Sequence, residues 1–251
     1  MADTDLTIRM IRSLAEIDPA SWDACANPAS PVDSVREDAD SIYQEERFNP
    51  FITHAFLSAC EASGSAIPRT GWGGAHILVE DAEGRLLAAA PCYLKSHSMG
   101  EYVFDQGWAD AYERAGGRYY PKLQISVPFT PATGPRLLTG EHPALGVPLL
   151  RVAEQICEQN NLSSAHATFI EPAQLPVFQE AGWLLRSDIQ FHWENRGYAS
   201  FDEFLGALSS RKRKDIRKER AAAQEGVEIV ALSGDHIRER SEERRVGKEC
   251  L

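Results

Sequence analysis

Residues 75–95, AHILVEDAEGRLLAAAPCYLK, constrain the fold more than any other stretch of this chain. Two apolar runs flank the polar turn DAEGR, and Gly84 supplies the backbone freedom of that turn, so the segment predicts a β-hairpin. The second run is alanine-rich, which predicts an element packed closely over that strand. A lone hairpin is marginal in water, so the flanking sequence has to supply its cover.

The flanks alternate in the required way. LTIRMI at residues 6–11 is a β-branched run, and Asp18-Pro19 then offers an N-cap and a first-turn proline for the helix ASWDACA. Residues 27–47 are rich in Pro, Ser, Asp and Glu and read as a surface connection. Asn49-Pro50 repeats the start signal, and Phe51, Ala55, Phe56, Ala59 and Cys60 fall on one helical face that ends at Gly64. Beyond the hairpin the sequence predicts a helix from Trp108 to Ala115 and a strand interrupted by Pro128, Pro131 and Pro135. An amphipathic helix over 144–159 follows, with a strand over 165–170, a helix opened by Glu171-Pro172, and strands near 183–185 and 190–193. The order resembles that of a GNAT-type acyltransferase domain, a mixed central sheet flanked by helices in the α/β class.

With 43% hydrophobic and 25% charged residues among 251, the chain reads as a globular protein of one large domain or two small ones. No apolar run approaches the roughly 20 residues a membrane span needs, and MADTDLTIRMIRSL is not a secretory leader, so a cytoplasmic location is expected. Cys25, Cys60, Cys92 and Cys157 stand among apolar neighbours without metal or disulfide spacing, which predicts buried thiols.

One segment departs from the acidic whole. Within residues 211–220 seven residues are basic and two acidic, a local charge of +5 in a chain whose formal total is −11. Ser200-Phe-Asp-Glu203 before it is a capping box for a helix whose Phe201, Phe204, Leu205 and Leu208 predict a core-facing stripe. Ser209 or Ser210 then caps a second helix that opens with Arg211, Lys212, Arg213 and Lys214, where positive charge opposes the helix dipole. Two readings stand. A bound phosphate would reverse that penalty, with Arg217 on the same segment. Alternatively the segment is a solvated helix carrying the pairs Arg211 with Asp215 and Asp215 with Lys218. The anion would be a phosphopantetheine-bearing cofactor or carrier, a nucleotide-linked substrate, or tRNA. Residues 211–220 hold no aromatic ring to stack a base, which weighs against a single-stranded RNA module.

Other polar residues divide between substrate contact and structure. Tyr119, Tyr120 and Lys122 lie in a glycine-flanked loop before a strand, and Gln190 and His192 share the polar face of an aromatic strand. His97, Glu101 and Asp105 make no metal spacing, no metal site is expected, and no nucleophile elbow or phosphate loop occurs.

Three strings carry a family resemblance: NPFITHAFLSACEASGS, APCYLKSHSMGEYVFDQGWADAYERAGGRYYPKLQISVPFTPATGPRLL, and QFHWENRGYASFDEFLGALSSRKRKDIRKER. From Asn49 to about Gly234 the chain resembles the FemAB-like predicted N-acyltransferases of bacteria, related to peptidoglycan biosynthesis and placed in the GNAT superfamily. The resemblance implies a first GNAT-like domain over 1–195 and, over 196–239, a capped helix and basic helix leading into a second such domain. The family's later elements, a Gly-Ala-Gln-Gly stretch, a His-Lys and an Arg-Gly-Tyr, have no counterpart here. That departure implies a chain inactive on its own, with apolar surface exposed and a tendency to dimerise or aggregate.

The implied chemistry is attack of an amine on an acyl thioester or ester, with a strand amide polarising the carbonyl and a base taking the proton. Acyl-CoA or another small-molecule or carrier-linked donor would supply the acyl group. No catalytic residue is assigned by the resemblance, and GEHPALG at 140–146 lacks the GNAT pyrophosphate pattern. The competing reading is a non-catalytic domain that grips tRNA or a phosphopantetheine carrier through the basic helix. Residues 240–250, RSEERRVGKEC, match a translated sequencing adapter, so 240–251 is set aside as an artefact and Cys250 is given no role.

Overall fold

The computed structural model describes residues 6–28 and 48–239. The adapter-like tail and most of the 27–47 connection lie outside the described residues. The chain divides into two compact units, Met1–Arg186 and Ser187–Leu251.

The first unit opens with β1 (Thr7–Ile11) and α1 (Pro19–Ala26), where the Asp18 carboxylate accepts the Ser21 amide at 2.8 Å. Asn49 caps a single 3-10 turn, Pro50–Ile52, and Thr53 then caps α2 (His54–Ala62). This extra turn changes the buried face. Ile52 and Leu57 are fully buried while Phe51 remains partly exposed, so the five-residue stripe expected from a continuous helix is displaced. After β2 (Trp72–Gly74) come the hairpin strands β3 (His76–Glu80) and β4 (Leu86–Ala90), turned at Gly84 with φ +79°. Then follow β5 (Cys92–Lys95), α3 (Gln106–Arg114), β6 (Lys122–Ile125), α4 (Gly146–Gln159), β7 (Ala165–Ala167) and α5 (Leu175–Glu180).

The architecture is mixed α/β, with two sheets flanked by helices. One sheet is antiparallel in the order β1-β3-β4; the other runs β2-β5-β6-β7, with β6 and β7 parallel. Pro91 stands between β4 and β5, and lacking an amide proton it interrupts the ladder where one long strand would continue.

Alternation on β4 explains its alanines. Ala88 and Ala90 face the core built with Leu149 and Leu150 of α4, while Ala89 faces Trp22, Ile11 and Leu138 on the other side. Both faces are covered at close range, and only small side chains leave room. Cys25, Cys92 and Cys157 are buried, Cys60 is half-buried, and all four are unbridged.

Residues 184–198, at the end of the first unit and the start of the second, join no helix and no sheet. The strand expected at 190–193 is therefore absent, and so is its expected partner near 183–185. Trp183 instead turns inward within the first unit, donating to Glu154 Oε1 at 2.8 Å and packing edge-on against Phe178. Leu184 and Phe191 are 100% and 96% exposed, so no neighbouring strand covers them.

Next come α6 (Phe201–Gly206), α7 (Ser210–Ala223) and α8 (Asp235–Glu239). Ser200 Oγ accepts the Glu203 amide at 3.2 Å as its capping box requires. The Glu203 carboxylate reaches back one residue further than expected, to the Ala199 amide at 2.8 Å. Of the expected apolar stripe only Leu205 is buried; Phe201 packs against Phe204 and lies under Arg220, 4.5 Å from ring centroid to guanidinium carbon.

Candidate functional site

The second sheet has two chemically different faces. Cys92, Leu94, Leu123 and Ile125 point toward the α4 core, and the period of two sends Tyr93, Lys95, Lys122 and Gln124 to the other side. In register, Trp72 stands beside Lys95 and Lys95 beside Lys122, so two lysines lie in adjacent strands under an indole. The chain from 96 to 121 closes over this polar face.

Lys122 Nζ donates to Asp105 Oδ2 at 2.7 Å, Glu101 Oε2 at 2.9 Å and Ser98 Oγ at 3.1 Å. Tyr119 donates its hydroxyl to Asp105 Oδ2 at 2.9 Å, and Tyr120 Oη lies 2.7 Å from Ser98 Oγ. Lys95 Nζ sits 3.2 Å above the Trp72 ring centroid and 3.7 Å from Glu101 Oε1. Lys95, Lys122, Glu101 and Asp105 are all at most 3% exposed. Two cations are thus balanced by two anions in a low-dielectric setting, where removing one partner strands the others.

Burial pushes the Lys95 ammonium down to about 7, with Glu101 opposing and Lys122 adding to the fall. A lysine in that range exchanges a proton near neutral pH. Burial would raise the Asp105 carboxyl, but hydrogen bonds from Lys122, Ser98 and Tyr119 prevail and hold it below the usual range. Burial, and then the Lys122 charge, push His166 down to about 4; its Nε2 lies 2.7 Å from Ser164 Oγ. Several side-chain atoms of this face are buried without a hydrogen-bond partner among the described residues, namely Tyr93 Oη, Lys95 Nζ, Glu101 Oε1, Asp105 Oδ1 and Gln124 Oε1. They can donate to or accept from a polar group brought among them.

Beside this face the parallel pair β6 and β7 ends at Ile125 and Ala167, and the chain returns at Gly134 to bridge Ile170. Arg136 is buried there, its guanidinium donating to the carbonyls of Thr168 at 2.7 Å, Ala132 at 2.7 Å and Pro135 at 3.1 Å. Burial lowers it to about 10, partly offset by Glu171.

Of the residues singled out from sequence, Tyr120 belongs to the buried cluster, together with Tyr119 and Lys122. The others lie in the second unit. His192 Nε2 is 3.1 Å from Gln190 Oε1, so their side chains do share a side. Arg211, Lys212, Arg213, Lys214 and Arg217 line α7, which has no buried residue. Ser209 Oγ accepts the Lys212 amide at 3.5 Å; Arg211 Nε lies 3.9 Å from Asp215 Oδ2, and Arg217 donates to Asp202 Oδ1 at 3.1 Å.

Sequence reading missed Lys95, Glu101 and Asp105 as partners of Lys122. The available signal was the alternation itself, with Tyr93 and Lys95 between apolar Cys92 and Leu94, and Lys122 and Gln124 between apolar Leu123 and Ile125. Among the described residues no group of His, Cys, Asp and Glu is arranged to hold a metal, and no helix is long and apolar enough to cross a membrane.

The FemAB-like family model, described as peptidoglycan biosynthesis and recognition, matches residues 13–246, and the chain belongs to that family. No curated protein matches it. Among solved structures it is similar to an aminoglycoside antibiotic 6'-N-acetyltransferase from Acinetobacter baumannii, at 11% identity and a TM-score of 0.39, over 77% of this chain and 100% of that one. A Trypanosoma brucei acetyltransferase is similar at 12% identity and a TM-score of 0.38, over 76% and 100% respectively.

Proposed function

We propose that this chain serves N-acyl transfer, the movement of an acyl or aminoacyl group from an activated donor to an amine, in chemistry related to peptidoglycan. The family match over residues 13–246 carries the reading. The polar sheet face supplies a chemistry that fits it. An ammonium acceptor is attracted by Glu101 and Asp105 and must lose a proton before it attacks, and a lysine held at about 7 is a base matched to neutral pH. Because Lys95 is fully buried, access requires the segment that carries Ser98, Glu101 and Asp105 to lift from the sheet. The donor is acyl-CoA or another acyl thioester or ester, and the setting is cytoplasmic.

A second reading rests on α7. Its first turn carries Arg211 and Lys212 at exposed positions and Arg213 half-buried, all against the helix dipole, a cost that a bound phosphate would reverse. On this reading the chain grips a polyanion, tRNA or a phosphopantetheine carrier, without catalysing a reaction.

Equilibrium binding to acyl-CoA, tRNA and heparin at low and high salt separates the two. Saturable acyl-CoA binding at both salt concentrations is expected, with transfer to an amine abolished in Lys95→Met while donor binding persists. Binding to tRNA alone, falling steeply with salt, would establish the second reading instead. No binding to any of the three would sink both.

A further inference from the structure

Residues 48–51, residues 132–135 and Glu171, all in the first unit, surround a hollow of about 310 Å³. That volume is at the lower end for small-molecule sites and admits a ligand of about amino-acid size. One wall is the capped turn before α2. Asn49 Oδ1 accepts the Phe51 amide at 3.0 Å, which turns the carboxamide nitrogen of Asn49 the other way. Its backbone is fixed in turn by Asn27, at 2.7 and 3.2 Å. The opposite wall is the return of the chain at Gly134, and a β-carbon there would collide with that carboxamide nitrogen. Only glycine lets the two walls come this close.

The charges define the ligand. Glu171 is the only charged residue of the lining. Its carboxylate has no hydrogen bond among the described residues, and burial pushes it above the usual carboxylate range, against the opposing charge of Arg136. Arg136 does not pair with it: the guanidinium is 1% exposed and is turned to the carbonyls of Thr168, Ala132 and Pro135. An anion would find few donors here. The Gly134 amide is bonded to the Phe169 carbonyl at 3.1 Å and the Glu171 amide to the Gly134 carbonyl at 3.3 Å. Phe48, 69% exposed, and Phe51 add aromatic rings, whose faces attract cations. The free N–H groups of Asn49 can donate to an oxygen of the same ligand.

We infer that this hollow binds a primary ammonium compound of about amino-acid size, with Glu171 as its counter-ion, Phe48 and Phe51 against its body and Asn49 donating to its carbonyl oxygen. An ammonium beside Glu171 offsets the cost of the half-buried carboxylate. These residues are distinct from the lysine cluster, and binding here requires no acyl donor.

The test is titration of the full chain with alaninamide, followed by the amide resonances of Gly134 and Glu171. Saturable shifts of both are expected. Lactamide, with a hydroxyl in place of the ammonium, should bind at least roughly tenfold more weakly. Glu171→Gln should abolish the difference between the two probes, and Phe48→Ala should weaken alaninamide severalfold. Far-UV circular dichroism checks that the variants are folded, and the exposed Phe48→Ala change gives an answer even if Glu171→Gln unfolds the chain. Alaninamide binding no tighter than lactamide, or binding indifferent to both substitutions, would overturn the inference. Inorganic phosphate shifting the same resonances more tightly would overturn it too, as an anion site. Because no donor is present, none of these outcomes bears on acyl transfer.

Discussion

Lys95 and Lys122 in the first unit carry the same charge as Arg211 to Lys214 in the second, in opposite surroundings. The two buried lysines are each placed by a strand register, matched by Glu101 and Asp105, and enclosed by aromatic rings. The cations of α7 lie on a helix with no buried residue, where Arg211 pairs with Asp215 at 3.9 Å and Arg217 with Asp202 at 3.1 Å. In the first case the fold depends on the charge. In the second the charge adds little to the fold and is available for recognition.

The largest expected difference follows from cutting each set. Lys122→Met leaves Asp105 and Glu101 buried without their main partner and should cost about 3–5 kcal/mol in chemical denaturation. A cost below roughly 1 kcal/mol would mean that solvent reaches the cluster, and the contrast would fail. Next is pH. Lys95 titrates at about 7 in the folded protein and near 10.5 once unfolded, so between these values the unfolded chain binds the extra proton and stability rises with pH. The slope approaches 1.4 kcal/mol per pH unit, is absent below about pH 7 and should vanish in Lys95→Met. His166, held at about 4 against an ordinary 6.5, gives a second rise between those values, which His166→Gln should flatten.

Smaller effects are expected in the second unit. Ser200→Ala removes the α6 cap and should cost about 1 kcal/mol in a thermal melt. Replacing Arg211, Lys212, Arg213 and Lys214 together by Ala should leave stability unchanged or raise it by a few tenths of a kcal/mol per charge, because positive charge leaves a helix start. The same variant should lose heparin binding. Unaltered heparin binding would show that α7 is only a solvated helix.

What the sequence made legible follows the same division. Caps and turns were readable because their signals are local: Asp18-Pro19, Gly84 and Ser200 each sit within a few residues of what they control. The α2 face was misread because Asn49 and Thr53 are both valid caps, and only packing of Ile52 and Leu57 decides between them. The lysine cluster was largely hidden. Lys95, Glu101, Asp105 and Lys122 are spread over 28 positions of sequence, and a charged residue is by default an exposed one. Tyr120 was found through its glycine-flanked loop, yet its partner Ser98 lies 22 positions earlier, beyond any local pattern. The strand expected at 190–193 is absent: the expectation rested on an alternating pattern, and alternation says nothing about whether a neighbouring strand exists.

The three hydrogen bonds of Lys122 have a further consequence. One ammonium at the start of β6 fastens Ser98, Glu101 and Asp105, which belong to the connection between two neighbouring strands. A connection held at its base in this way opens as one piece: the lift that uncovers Lys95 must break all three Lys122 bonds together, so the amides of the connection should exchange their hydrogens as a group. The excursion 96–121 between β5 and β6 is thereby a single cooperative unit, held or released by one ammonium.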